Sequence, residues 1–299
     1  MKRIAGMVWL GLTACTWAAS PTAAETPPPQ GGVFAKSNLV AWCIVPFDAA
    51  NRNCQQRAEM LQRLGIRRFA YDWREQHVPT FEQEIVELKK RSIEYFAFWA
   101  FHPDIVPLVS KHHITPQFWV MIPAAAGANQ DARVEAAAKE LKAMVDKTRE
   151  LGCKLGLYNH GGWGGEPANM VAVVERLRRE GNAEHVGVVY NFHHGHEHIG
   201  DFPQVLNAMK PYLLCLNLNG MNDGANPLIL PIGAGRHERA MMEAVKRSGY
   251  AGPIGILGHR ENVDAEVSLK QNIDGMKKVL KEIGDEAALA TYERSRPDR

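Results

Sequence analysis

Eight short, nearly continuous apolar runs recur along the chain, and they constrain its fold more than any other feature. They are Leu39–Phe47, Arg68–Trp73, Tyr95–Trp99, Gln117–Ile122, Lys154–His160, Val186–Asn191, Tyr212–Asn219 and Gly252–His259. Runs of this length suit strands buried on both faces, as in a parallel sheet. Amphipathic helical patterns lie between them: Arg57–Leu64, Phe81–Lys90, Val134–Leu151, Pro167–Arg179, Phe202–Met209, Glu238–Ser248 and Ala265–Ile283. The expected strand ends fall near residues 47, 73, 99, 121, 160, 191, 217 and 257, and each step is the size of one βα unit. Eight such units in about 250 residues predict an α/β fold, a single (β/α)8 TIM barrel over residues 36–284. An open doubly wound sheet is the alternative. Its glycine fingerprint does not follow the first run.

Composition narrows the function classes. With 45% hydrophobic and 23% charged residues among 299, the chain is neither disordered nor fibrous. There are 35 Lys+Arg against 33 Asp+Glu, and both surplus cations are Lys2 and Arg3. Residues 1–24 hold no other charge, so the remainder balances and carries no basic block, which speaks against a nucleic-acid partner. Lys2 and Arg3 precede the uncharged stretch Ile4–Ala14, the form of an export signal over residues 1–24 and too short to span a bilayer. Two endings compete. Leu12-Thr13-Ala14-Cys15 resembles a lipoprotein box that would lipidate Cys15, whereas Thr22-Ala23-Ala24 suits an ordinary signal peptidase. Either predicts an exported chain, periplasmic or membrane-anchored, whose only membrane contact is a lipid on Cys15. Residues 25–35 read as a tether and 285–299 as a polar tail that frays. Cys43, Cys153 and Cys215 sit in or beside apolar runs, where buried free thiols are the common state, and no C-x-x-C spacing suggests structural zinc.

A barrel builds its chemistry at the C-terminal ends of its strands. Polar and aromatic residues gather there: Tyr71-Asp72-Trp73-Arg74, Trp99 with His102, Tyr158-Asn159-His160 with Trp163, Tyr190-Asn191-Phe192-His193-His194, Asn217 and Asn219, and His259-Arg260-Glu261. Imidazoles at three strand ends can converge as acid/base groups or metal ligands. Trp73, Trp99 and Trp163 offer flat walls for a sugar ring, though any one Trp is more often core or rim. Glu166, before Pro167, reads first as a helix start and second as a reserve carboxylate. Gly233-Ala234-Gly235-Arg236 is a weak phosphate signal and more simply a loop.

The segments Leu155-Gly-Leu-Tyr-Asn-His-Gly-Gly162, Gly187-Val-Val-Tyr-Asn-Phe-His-His194 and Gly249-Tyr-Ala-Gly-Pro-Ile-Gly-Ile-Leu-Gly-His259 resemble the xylose isomerase-like TIM-barrel superfamily of sugar isomerases, epimerases and inosose dehydratases. The resemblance covers residues 36–283. It implies proton abstraction beside a carbonyl, and one divalent metal held by Glu, Asp, His and Glu at the ends of strands five to eight. Those four positions fall at Tyr158, Asn191, Asn217 and Leu257 in this chain. None is a carboxylate, and a divalent ion wants anionic oxygens. Either no metal is bound, or one divalent ion is re-sited on His160, His194 and His259.

The expected function is therefore an exported carbohydrate-active enzyme. His160 or His194 would be the base, His259 and Arg260 electrophilic partners, and Asp72 a further acid/base group. Trp73, Trp99, Asn159, Trp163, Asn191, His193, Asn217 and Asn219 would contact a small-molecule carbohydrate. Two alternatives stand beside it: a non-catalytic sugar-binding barrel, and a metal-dependent hydrolase on a re-sited histidine centre.

Overall fold

The structure is a computed structural model that describes residues 29–124 and 126–293. The expected export signal with Cys15, residues 25–28 of the tether and residues 294–299 of the tail lie outside the described residues.

Eight parallel strands close into a barrel in sequence order, with β1 hydrogen-bonded to both β2 and β8. They are β1 Leu39–Trp42, β2 Arg68–Asp72, β3 Glu94–Trp99, β4 Gln117–Met121, β5 Lys154–Tyr158, β6 Val186–Asn191, β7 Leu213–Leu218 and β8 Ile254–Leu257. Each expected run contains its strand to within a residue at the start of β3, and most runs extend past the strand into the loop that follows. The helices are α1 Cys54–Leu64, α2 Phe81–Lys90, α3 Ile105–Lys111, α4 Gln130–Glu150, α5 Gly162–Gly165, α6 Pro167–Gly181, α7 Phe202–Met209, α8 Glu238–Arg247, α9 Ala265–Glu282 and α10 Glu286–Glu293.

Side chains of alternate strand residues form two apolar layers. Outward residues such as Phe69, Phe98, Phe118, Leu157, Val188 and Ile256 pack beneath the helices. Inward residues, among them Val40, Trp42, Ala70, Ala97, Trp119, Tyr158 and Val189, fill the barrel. The filling pairs large with absent. A Cβ on Gly156 of β5 would sit 2.9 Å from Trp119 Cδ1 and 2.5 Å from Val189 Cγ2, so the indole of β4 occupies that volume. A Cβ on Gly255 of β8 would meet Asn217 Oδ1 of β7 at 1.7 Å.

Local sequence explains the helix starts. Asn53 accepts from the Gln56 amide while Gln56 reaches back to Asn53, a capping box for α1. Asn129 caps α4 and Asp264 caps α9. The helices α1 and α2 are joined by a fully buried ion pair: Arg57 Nε donates to Glu84 Oε1 at 3.0 Å and Nη2 to Oε2 at 2.9 Å. The four cysteines among the described residues are free and buried, as their apolar surroundings suggest.

Three differences from the sequence reading have physical reasons. Helix α3 carries Pro107 and buries only Ile105 and Val109, too short a stripe to register as a period. The tether reading, residues 25–35, takes in Val33, Phe34 and Ala35, which are apolar and buried and so part of the folded body. The tail reading, residues 285–299, takes in α10, a helix whose Ala288 and Tyr292 are buried, with Tyr292 Oη donating to Phe34 O at 2.8 Å. These two segments pack together against the end of the barrel where the strands begin.

Candidate functional site

At the opposite end, the pleat sets the floor of the mouth. Trp42, Asp72, Trp99, Tyr158 and Asn191 end their strands facing inward. Trp42 Nε1 and Asn191 Nδ2 both donate to Tyr158 Oη, at 3.3 and 2.5 Å. The rings of Trp99 and Tyr158 lie 4.6 Å apart. Tyr158 and Asn191 thus satisfy each other at two of the positions where the resembling family places metal carboxylates. Asn159 locks the same corner: its Nδ2 donates to Asn191 O at 3.0 Å and its Oδ1 accepts from Asn191 N at 2.7 Å.

Above this floor is a cavity of about 100 Å³ lined by Asp72, Arg74, Trp99, His160, His193, His194 and His259, together with Trp42, Cys43, Phe47 and Tyr158. The His160 and His194 rings are 4.4 Å apart, and His193 Nε2 and His194 Nε2 share a hydrogen bond of 2.7 Å. The His193 and His259 rings are 5.6 Å apart, and His259 stacks on Phe47 at 3.7 Å. Burial pulls His193 down to about 2 and His194 to about 3, with repulsion among the neighbouring imidazoles adding to it. Burial also lowers His259 and His196. The imidazoles lowered in this way are therefore neutral at pH 7.

Asp72 behaves in the opposite sense. Burial raises its carboxyl to about 7, against the nearby Arg74 charge, which pulls it down. Its Oδ1 accepts from Val45 N at 3.3 Å, whereas Oδ2 is buried with no hydrogen-bond partner among the described residues. The Arg74 guanidinium donates to Asp72 O and Trp73 O and lies 5.7 Å over the Phe47 ring.

These buried groups fix a pH dependence of folding. A lowered imidazole takes up protons more readily when unfolded, so its stability is complete above about pH 6.5 and is lost as pH falls. Asp72 holds its proton longer when folded, so its effect lowers stability as pH rises from 3.8 toward 7. His193 and His194 together outweigh Asp72 by about one proton. Urea unfolding is expected to show a loss of about 1.4 kcal/mol per pH unit between pH 6.5 and 4.5. A flat or rising stability on acidification over that range would contradict the assignment.

Among the sequence candidates, the structure brings Asp72, Trp99, His160, His193, His194 and His259 into one cavity and keeps Asn191 just behind it. The others are placed elsewhere. Arg260 turns outward and bonds Gln271 of α9. Trp73 points away from the axis, its Nε1 donating to Ala100 O at 2.9 Å and its ring against Phe81. Trp163 bonds Gln130 and lies under Arg133 on the outer rim. Asn217 and Asn219 are fully buried, the first against Gly255 and the second donating to Gly220 O. Glu166 meets His198 Nε2 at 3.1 Å. The glycine turn at 233–236 holds no free anion cradle, because Glu238 already accepts from Gly235 N and Met221 N. Among the cavity residues given no role from the sequence are Arg74, two residues past Asp72 on the same side of the pleat, and Trp42, Cys43 and Phe47, whose apolar run gave no functional signal.

The donor set does not fit a divalent ion. Among the described residues no three His, Cys, Asp or Glu side chains are placed to hold one. Of the three-histidine candidate, His194 is engaged with His193 and His259 lies under Phe47. Tyr158 and Asn191 are committed to each other, and the one cavity carboxylate, Asp72, is held largely protonated up to neutral pH.

No protein-family model matches the chain, and no curated protein matches it in sequence. Solved structures do match in fold. A 3-keto-D-glucoside 4-epimerase from E. coli, in its apo form, aligns with TM-score 0.59 at 14% identity, over 82% of this chain and 100% of its own. A D-psicose 3-epimerase crystallised with D-fructose aligns with TM-score 0.57 at 13% identity, over 87% of this chain and 98% of its own. The IolI protein with a bound zinc atom aligns with TM-score 0.61 at 12% identity, over 82% of this chain and 99% of its own. At these identities the likeness establishes the fold alone.

Proposed function

Starting from a chain that has the fold of the xylose isomerase-like TIM barrels, we propose that it is a carbohydrate enzyme that removes a proton from the carbon beside a sugar carbonyl without a bound metal. The observation that carries this reading is Asp72, a buried carboxyl raised to about 7 with a partnerless oxygen, in a cavity that it shares with the lowered imidazoles of His193, His194 and His259 and the Arg74 guanidinium. A general base works best with a pKa near the working pH. Asp72 meets that condition, whereas His193 and His194, at about 2 and 3, are too weakly basic.

Asp72 takes the proton from the carbon acid. Arg74 and a neutral imidazole N–H donate to the carbonyl oxygen as it gains charge, the kind of preplaced donor that stabilises a developing oxyanion. The Asp72 carboxylic acid then returns its proton, to the former carbonyl carbon for isomerisation, with the α-hydroxyl proton passing to the former carbonyl oxygen, or to the departing oxygen for elimination. Trp99 supplies a flat wall. The fold neighbours that act on keto-sugars support a carbohydrate carbonyl as the substrate class.

The test is solvent exchange. In D2O the protein is expected to place deuterium on the carbon beside the carbonyl of D-fructose or 3-keto-D-glucose, read by NMR and undiminished by EDTA. Exchange abolished by EDTA would return the reaction to a metal. The closed Trp42–Tyr158–Asn191 network favours a second reading, a sugar-binding barrel in which the ancestral ligand positions have become structure. It predicts saccharide binding with no exchange.

We also propose that the protein is exported, a reading supported by the Lys2-Arg3 pair and the apolar stretch after it. Intact-mass measurement is expected to find either a lipidated Cys15 or a first residue near Glu25. A mature chain that keeps Met1 would overturn export.

A further inference from the structure

His193 and His194 line not only the axial cavity but also a second, larger one of about 440 Å³ beside it. Its near wall is the backbone of Gly161, Gly162 and Gly165, where side chains are absent, and the loop after β7 contributes Leu228 opposite. Three residues of this chamber carry buried polar atoms with no hydrogen-bond partner among the described residues: Tyr190 Oη, His193 Nδ1 and His196 Nε2. A buried polar atom left without a partner costs free energy that a ligand hydroxyl can recover.

The charge of the chamber selects the ligand. No Lys or Arg lines it, and Glu166 and Glu197 do. Burial keeps His193, His196 and Tyr190 in their neutral forms. Such a lining offers hydrogen bonds to hydroxyls and repels a phosphate or carboxylate, which proteins hold with Arg or Lys.

From the two cavities meeting at one histidine pair, we infer that the substrate is an uncharged two-ring glycoside, its reacting ring in the axial cavity and its second sugar ring in the chamber beyond His193 and His194. This rests on the proposed carbohydrate function and extends it from a monosaccharide to a glycoside.

Calorimetry on the whole protein tests it with cellobiose, sucrose and trehalose as two-ring probes, and D-glucose and D-glucose 6-phosphate as one-ring probes. At least one disaccharide is expected to bind ten times or more tighter than D-glucose, with the phosphate no tighter than D-glucose. His196→Phe, which removes a chamber hydrogen bond, and Leu228→Trp, which fills the chamber, are expected to bring that disaccharide down to the D-glucose level while changing D-glucose less than threefold. Equal affinities for one and two rings, a preference for the phosphate, or equal losses for both probes in the two variants would overturn the inference. Because the readout is binding, failure of the reaction shows separately: a disaccharide preference without deuterium exchange keeps the two-ring site and rejects proton abstraction.

Discussion

Asp72→Asn is expected to slow deuterium exchange at the carbon beside a keto-sugar carbonyl by about 10²- to 10⁴-fold, the usual range for removing a positioned acid/base group. The substitution preserves shape and keeps an oxygen for the Val45 amide at the Oδ1 position. It removes only the capacity to exchange a proton. Stability should move the other way. Ionising Asp72 in the folded chain is penalised between pH 3.8 and about 7, so the asparagine variant is spared that penalty. The full difference is on the order of 4 kcal/mol above pH 7, because each tenfold change in proton affinity is worth about 1.36 kcal/mol. Activity lost with stability at pH 8 unchanged or higher therefore marks a catalytic carboxyl. Activity and stability falling together would make Asp72 a structural residue, and full activity in the variant would remove it from the mechanism.

Glu84→Ala is expected to destabilise the fold by about 3–5 kcal/mol, measured by urea unfolding at pH 7. The Arg57 guanidinium is then left inside the protein with only the Arg52 carbonyl as acceptor. The cost lies in the stranded charge and not in the worth of the pair. Adding Arg57→Leu should accordingly recover part of the loss, since apolar replacements of buried pairs are often neutral. A double variant as unstable as the sum of both single changes would show that the two residues are not coupled and that a stranded Arg57 charge is not the cause of the Glu84→Ala loss.

The strands were legible because each is buried on both faces, so hydrophobicity alone marks them. Loops were not. Arg260 lies three residues beyond β8, where neither period nor pleat governs direction, and it turned to Gln271. Part of the site was legible and passed over. With Asp72 facing inward, the alternation of a strand sends Trp73 outward to Phe81 and Phe98 and brings Arg74 back toward the axis. The same alternation separates Asn159, which clamps the backbone of β6, from inward Tyr158. The imidazole cluster was visible as three strand ends rich in His. Its neutrality was not, because burial and mutual repulsion exist only once the rings are brought together.

The clasp of Val33–Ala35 and α10 lies at the end of the barrel where strands begin, so the described residues both begin and end at the face opposite the histidine cavity. An attachment made at the first or last described residue would therefore grip the barrel from beneath, on the side away from the mouth, and a chain immobilised at either of these points is expected to keep its cavity open to the solution.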